Sequence, residues 1–121
     1  MTEEYLHQIW RLKRLPFHEI LPINASKIEV KNIGTYNENQ KGPDFLLGVV
    51  NIDNVDFYGN IEIHVKSSDW YKHNHQTDDA YNSVILHVVY EYDSPVYQNG
   101  FLLPTIELKN HLDIEHYNQS K

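Results

Sequence analysis

The chain has 121 residues, of which 40% are hydrophobic and 22% charged, and this predicts one small folded domain with a single core. Cysteine is absent, which excludes disulfides and thiolate metal sites, so histidine has to anchor any transition metal. The formal net charge of -7 argues against a protein that coats DNA regardless of sequence, but metal ions can neutralise an acidic nuclease pocket.

The N-terminal part predicts a helix followed by mostly irregular chain. Thr2 begins an amphipathic helical segment, and Pro16 ends it. Pro16 and Pro22 predict a loop over residues 17–24. The sequence then predicts a short strand over residues 26–33 and a turn-rich connection over residues 34–39. This N-terminus has no apolar run of signal-peptide length and the chain shows no membrane span, which predicts a cytoplasmic protein without membrane partners.

The middle of the chain predicts a hairpin of two long strands. Residues 45–52 are apolar on nearly both faces, as in a central strand, and Asp53-Asn54 turns the chain back into residues 55–66. The second strand alternates strictly, so we expect its odd-numbered apolar side chains, including Val55 and Phe57, to pack on the core. Its other face carries a row of polar side chains: Asn60, Glu62, His64 and Lys66.

A helix and a buried strand follow the hairpin. Ser67-Ser68-Asp69 can cap an uneven helical segment over residues 70–82. Residues 84–90 are β-branched and apolar on both faces, which predicts an interior strand with His87 buried in it.

The last part of the chain predicts a hairpin and a helix. Asn99-Gly100 is a strong turn signal between residues 95–98 and 101–108, and residues 108–117 suggest a final helix. With no repeat or linker, the prediction is one domain over residues 1–121, of α/β (α+β) class, with a mixed sheet and flanking helices.

One motif pair points to metal chemistry. Pro43-Asp44 opens the second predicted strand, and Glu62-Ile63-His64 lies in the third, within the order helix, strand, strand, strand, helix, strand. This arrangement resembles the PD-(D/E)XK nuclease superfamily. The resemblance implies a restriction-endonuclease-like αβββαβ core plus a C-terminal hairpin, in which Asp44 and Glu62 bind a divalent cation, Mg²⁺ or Mn²⁺, that activates water.

The match departs from the superfamily at its lysine position, which His64 occupies. His64 could be a third ligand, favouring Mn, Fe or Zn, or a base, while Lys66 could supply the missing ammonium. The structural alternative is that the row from Asn60 to Lys66 is only the solvated face of an antiparallel sheet. A helix-borne carboxylate, Glu4 or Glu19, could complete the site.

A second cluster consists of histidines. His73 and His75 flank Asn74, and His87 follows downstream; zinc would accept such ligands. The alternative is that the first two are solvated in a polar loop and that His87 is a core residue hydrogen-bonded to a neighbour.

Longer strings resemble one family along nearly the whole chain. GPDF, YGNIEIHVKSSDWYKHNHQTDDAYNSVILHVVYEYD and LPTIEL are similar to the signature of a bacterial family of uncharacterised proteins, domain-of-unknown-function family 2851. Members of that family are longer, so the resemblance implies an N-terminal module or a truncated copy.

The predicted function is a metal-dependent nuclease-like domain that acts on nucleic-acid phosphodiesters, with no organic cofactor. Its catalytic residues are predicted to be Asp44, Glu62, His64 and Lys66, the first three of which bind the metal. The alternative is a catalytically inactive module of the same fold that binds nucleic acid or a protein partner, which the acidic charge and the missing lysine favour.

Overall fold

The computed structural model describes residues 1–39, 41–112 and 114–119. It contains three helices and eight strands within these residues, along with two 3-10 turns at His75–Thr77 and Asp79–Tyr81. In chain order they are α1 (Glu3–Arg11), β1 (Ile28–Asn32), β2 (Thr35–Tyr36), β3 (Phe45–Ile52), β4 (Val55–Lys66), α2 (Asp69–Lys72), β5 (Val84–Glu91), β6 (Tyr97–Gln98), β7 (Phe101–Leu102), β8 (Thr105–Glu107) and α3 (Ile114–Gln119).

A mixed sheet organises the fold. Its strand order is β1-β3-β4-β5-β8, and the short β2 also pairs with β3. The β1-β3 and β3-β4 pairs are antiparallel, whereas β4-β5 and β5-β8 are parallel. The predicted α+β class with a mixed sheet and flanking helices is confirmed.

The predicted central hairpin forms at the predicted residues. Ile52 pairs with Val55 across the turn, and Asp53 and Asn54 adopt φ angles of 49° and 73°. Asn and Asp tolerate this left-handed conformation, which matches the twist of a two-residue hairpin turn.

Helix α1 packs on one face of the sheet. Thr2 caps it by accepting a hydrogen bond from the backbone N–H of Tyr5, as the sequence predicts. Its apolar stripe buries Leu6 and Trp10 completely against sheet residues such as Ile61 and Ile63. A smaller apolar cluster is separate from this core and comprises Trp70, Tyr81, Val84, Val96 and Leu103.

The strict alternation of β4 does not produce one buried and one wet face. Near the turn, Val55 and Phe57 are 54% and 42% exposed, so the prediction that they pack on the core is wrong. Residues 61–64 are instead buried on both faces. The reason is that the strand is long: β3 pairs with residues 55–61, whereas β5 pairs only with residues 60–66, so the turn end lacks a neighbouring strand on that side.

The predicted helix over residues 70–82 is mostly absent. Helix α2 ends at Lys72, because Asn74 adopts a left-handed conformation with φ 58° that no helix continues through. Two 3-10 turns carry the chain on to β5, in which His87 is buried as predicted.

The C-terminal predictions are confirmed in part. A hairpin, β6-β7, forms around Asn99-Gly100, but the predicted strand 101–108 is interrupted at Leu103-Pro104, and β8 joins the main sheet. Helix α3 overlaps the predicted final helix, of which Asp113 lies outside the described residues. None of the described helices is long and apolar enough to cross a bilayer.

Candidate metal centre

Two acids far apart in sequence meet at the beginning of β3. Antiparallel pairing of Phe45 with Ile61 places Asp44 beside Glu62. The Asp44 backbone N–H donates to Glu62 Oε1 at 3.1 Å, and the Ile63 N–H donates to Asp44 Oδ2 at 2.8 Å. The structure therefore brings together the two predicted acids.

Three histidines face the same carboxyl pair. Glu62 Oε2 lies 2.8 Å from His75 Nε2 and 3.2 Å from His64 Nε2. His73 completes the group, since ring nitrogens of His64, His73 and His75 all lie within 4.8 Å of one another. The two clusters that the sequence analysis treats separately thus form one site.

His87 supports this group from beneath. Its Nε2 lies 2.7 Å from His64 Nδ1, and both rings are buried in the sheet. Such a contact fixes the orientation and tautomer of a ligand imidazole. His87 Nδ1 has no hydrogen-bond partner among the described residues.

Helix α1 contributes two further polar groups. His7 Nε2 lies 3.3 Å from Asp44 Oδ2, and Glu3, one turn earlier, lies close enough to Asp44 for its pKa to be raised by burial and by that charge. Glu4 and Glu19, the acids considered from the sequence, are exposed. The four-residue spacing of Glu3 and His7 on the face that bears the site is the signal that could have identified them.

The polar row of β4 divides into two parts. Glu62 and His64 are 3% and 1% exposed, which excludes the solvated-face interpretation for them. Asn60 instead bonds the Leu47 N–H and the Ser83 hydroxyl at the exposed end. The Lys66 side chain is exposed, and within the described residues no hydrogen bond or ion pair joins its ammonium to either acid.

Burial dominates the electrostatics of the centre. Burial and the neighbouring Asp44 charge raise the pKa of Glu62 to about 11. Against the effect of burial, hydrogen bonds with His7 and Glu62 lower the pKa of Asp44. Burial and adjacent imidazoles lower the pKa of His64 to about 2 and that of His75 to about 4. Neutral imidazoles keep a lone pair, and a divalent cation stabilises the carboxylate that burial disfavours.

Aromatic residues close one side of the site. The His75 ring stacks on Tyr81 with centroids 3.6 Å apart, and the Trp70 ring packs edge-on against His75 and His87 at 5.3 and 5.4 Å. Trp70 and Tyr81 are both buried. His73 is exposed, so it marks a side of the site that solvent reaches.

The comparison with protein families agrees with the motif strings. A family model described as "Protein of unknown function (DUF2851)" matches residues 3–121. No curated protein and no solved structure matches the chain. Because the match covers nearly the whole sequence, the chain belongs to the DUF2851 family of proteins of unknown function.

Proposed function

We propose that this domain is a divalent-metal-dependent hydrolase of nucleic-acid phosphodiesters, with Asp44, Glu62 and His64 in its metal centre. The observation that carries the proposal is the meeting of Asp44 and Glu62, 18 residues apart, as neighbouring carboxyl groups held by backbone N–H donors beside an imidazole. Helix α1 precedes the antiparallel strands β1, β3 and β4, and α2 lies between β4 and the parallel strand β5. This order also supports the nuclease resemblance.

The residues fit a divalent cation chemically. Two buried carboxylates repel each other, so the pair retains a proton unless a cation replaces it. Carboxylate oxygens suit Mg²⁺ and Mn²⁺, and the imidazole of His64 favours Mn²⁺ over Mg²⁺ because nitrogen is the softer donor.

In the proposed hydrolysis, a bound cation and the residues of the chain have different roles. When bound, a divalent cation polarises the phosphoryl oxygen and lowers the pKa of an attacking water. Asp44 and Glu62 orient one another through the backbone bonds at 3.1 and 2.8 Å. His7, whose Nε2 lies 3.3 Å from Asp44 Oδ2, favours the ionised form of the Asp44 carboxyl, which is the form that binds a cation.

The second candidate function is a binding module without turnover. The position of Lys66 favours it, because the exposed ammonium lies apart from the two acids. The resemblance implies a lysine that helps to orient the nucleophile, and in this chain His64 occupies that position, with its Nε2 3.2 Å from Glu62 Oε2.

Cleavage of labelled oligonucleotides tests the proposal. Single- and double-stranded DNA and RNA would be incubated with the full chain in Mn²⁺, Mg²⁺ or EDTA. We expect metal-dependent cleavage that Asp44→Asn reduces by about 100-fold or more, since a lost ligand removes several kcal/mol of charge stabilisation. Asp56→Asn is the matched control, because Asp56 is an exposed carboxylate on the same strand as Glu62.

The outcomes separate the two functions. Binding of an oligonucleotide in EDTA, without cleavage in any metal, would support the binding module and reject the hydrolase. Cleavage that is equal in Asp44→Asn and the wild type would assign the activity to a contaminant and reject the proposal.

A further inference from the structure

The two oxygens of Glu62 face different chemical surroundings. Oε1 accepts the backbone N–H of Asp44 at 3.1 Å, on the side of the acids. Oε2 lies 2.8 Å from His75 Nε2 and 3.2 Å from His64 Nε2, on the side of the histidines. One carboxyl group therefore borders an oxygen-donor half and a nitrogen-donor half of the centre.

We propose that His64, His73 and His75, together with Glu62 Oε2, form a distinct binding site for one transition-metal ion of the Zn²⁺ class. Three imidazoles and one carboxylate oxygen are a donor set that Zn²⁺ accepts in four-coordinate sites. Mg²⁺ prefers oxygen donors and does not select such a set.

The distances need only small changes to hold an ion. Bonds of about 2.0 to 2.1 Å in a tetrahedral site put neighbouring donor atoms roughly 3.3 Å apart. Glu62 Oε2 lies 2.8 Å from His75 Nε2 and 3.2 Å from His64 Nε2. One ring nitrogen from each of the three histidines lies within 4.8 Å of those of the other two. His73 is exposed, so its ring can approach without disturbing the core.

The contact with His87 selects the ligand atom of His64. His64 Nδ1 lies 2.7 Å from His87 Nε2, so the His64 tautomer that is protonated at Nδ1 can donate this proton to His87. This leaves the lone pair of His64 Nε2 directed to the side of Glu62 and His75. A hydrogen bond at the other ring nitrogen is the usual support of a metal-bound histidine.

The loop that carries His73 and His75 is shaped to bring both rings to the same place. Asn74 between them has a left-handed backbone with φ 58°, which ends α2 and begins the 3-10 turn. The chain reverses there, and the two ring centroids lie 5.5 Å apart. A fully solvated loop would need no such convergence.

The binding of this ion does not depend on hydrolysis. Its role beside the cation held by Asp44 and Glu62 rests on the proposed function: Glu62 is the shared carboxylate, and when both ions are bound the single lone pair of His64 Nε2 ligates Zn²⁺ and leaves the other cation to the two acids. Zn²⁺ affinity can be measured on protein that cleaves nothing.

Metal titration tests the site. Metal-free full chain would be titrated with Zn²⁺ against a chromophoric chelator, and with Co²⁺ while visible absorption is recorded. We expect one tight Zn²⁺ per chain, a four-coordinate Co²⁺ spectrum, and affinity that falls about tenfold or more in His73→Asn and in His75→Gln. Asp44→Asn should keep the Zn²⁺, and the exposed His18→Asn serves as the matched control.

Three results would overturn the inference: no Zn²⁺ bound by the wild type, wild-type affinity in both His73→Asn and His75→Gln, or equal loss in Asp44→Asn. Circular dichroism checks folding, and the exposed His73 gives a variant that leaves the core intact. If Zn²⁺ binds through the histidines but no oligonucleotide is cleaved, only the proposed hydrolase activity is rejected. If cleavage needs Asp44 while His73→Asn keeps the wild-type affinity for Zn²⁺, only this inference is rejected.

Discussion

The two ends of strand β4 have the same alternating sequence and opposite environments. At the turn end, Val55 and Phe57 are exposed, and Asp56 pairs with Lys31 at 3.0 Å in solvent. At the far end, Glu62 is 3% exposed and contacts two buried histidines. Hydrogen bonding at the surface lowers the pKa of Asp56 and so favours its charged form. Burial raises the pKa of Glu62 and so disfavours its charged form.

The difference shows that burial by neighbouring segments, rather than the alternating sequence of β4, brings its polar side chains together in a candidate site. The segment between β4 and β5 packs Trp70 and Tyr81 over the far end only. A carboxyl group without water depends on its neighbours for its charge state, so this end is suited to bind a cation. Three further experiments test this contrast.

Removal of the Trp70 side chain, which packs over the buried end of β4, should have the largest effect on the free energy of unfolding. Trp70 is fully buried against His75 and His87, so Trp70→Ala is expected to lower the free energy of unfolding by about 3 to 5 kcal/mol. Phe57→Ala at the exposed end should cost about 1 kcal/mol or less. Urea denaturation of both variants measures the difference; equal losses would show that the two ends are covered alike.

The charge of Glu62 should have the next largest effect, and it should depend on pH. The unfolded carboxyl ionises near 4.5, while burial raises the pKa in the folded protein to about 11. The contribution of Glu62 to stability is therefore full below pH 4.5 and lost as pH rises. In chelator at pH 7, neutral Glu62→Gln should be more stable than the wild type by up to about 3 kcal/mol.

The control for this prediction has the opposite sign. Ion pairing and the bond from Asn51 lower the pKa of Asp56, so Asp56→Asn should be slightly less stable than the wild type at pH 7. Denaturation of both variants at pH 4.5 and 7 checks this. A Glu62→Gln variant that is less stable than the wild type at pH 7 would mean that the folded site keeps this carboxylate ionised.

The smallest effect concerns the junction between β4 and α2. Asp93 accepts hydrogen bonds from Ser67 Oγ at 2.9 Å and from the Ser68 N–H at 2.9 Å. Against the effect of burial, hydrogen bonds from Ser68 and Ser67 lower the pKa of Asp93, so its contribution is present above pH 3.8 and lost as pH falls further. Because Asp93 is exposed, Asp93→Asn should cost about 1 kcal/mol or less at pH 7.

Denaturation at two pH values measures this junction. The difference between Asp93→Asn and the wild type should shrink as the pH falls below 3.8, because Asp93 then becomes protonated first in the unfolded and then in the folded protein. Asp79→Asn is the matched control, since Asp79 is exposed and its bond with Asn82 is long, at 3.4 Å. A difference that persists unchanged at pH 3 would reject the ionised junction.

Much of the fold follows from local sequence. Thr2 supplies a capping oxygen, and Asp53-Asn54 tolerates the left-handed turn, so α1 and the β3-β4 hairpin were predictable from neighbouring residues. Residues 84–90 are apolar on both faces, which was enough to predict an interior strand and a buried His87. The sequence does not show that the predicted helix over residues 70–82 is interrupted at Asn74. In a sequence pattern, an asparagine with a left-handed backbone cannot be distinguished from any other polar residue of a helix.

The site needed the tertiary structure. The sequence by itself determined that Asp44 opens the first strand of a hairpin and that Glu62 lies in its second strand, because Asp53-Asn54 forms the turn between them. Their meeting also depends on a register shift between Phe45 and Gly48, which the sequence does not reveal. It left His73, His75 and the acids as separate groups, and it did not show that His64 is buried while Lys66 is exposed. Only the packing of the 67–83 segment over one end of β4 decided which of these side chains lost water and met each other. Burial acts over the whole fold, so alternation within one strand cannot reveal it.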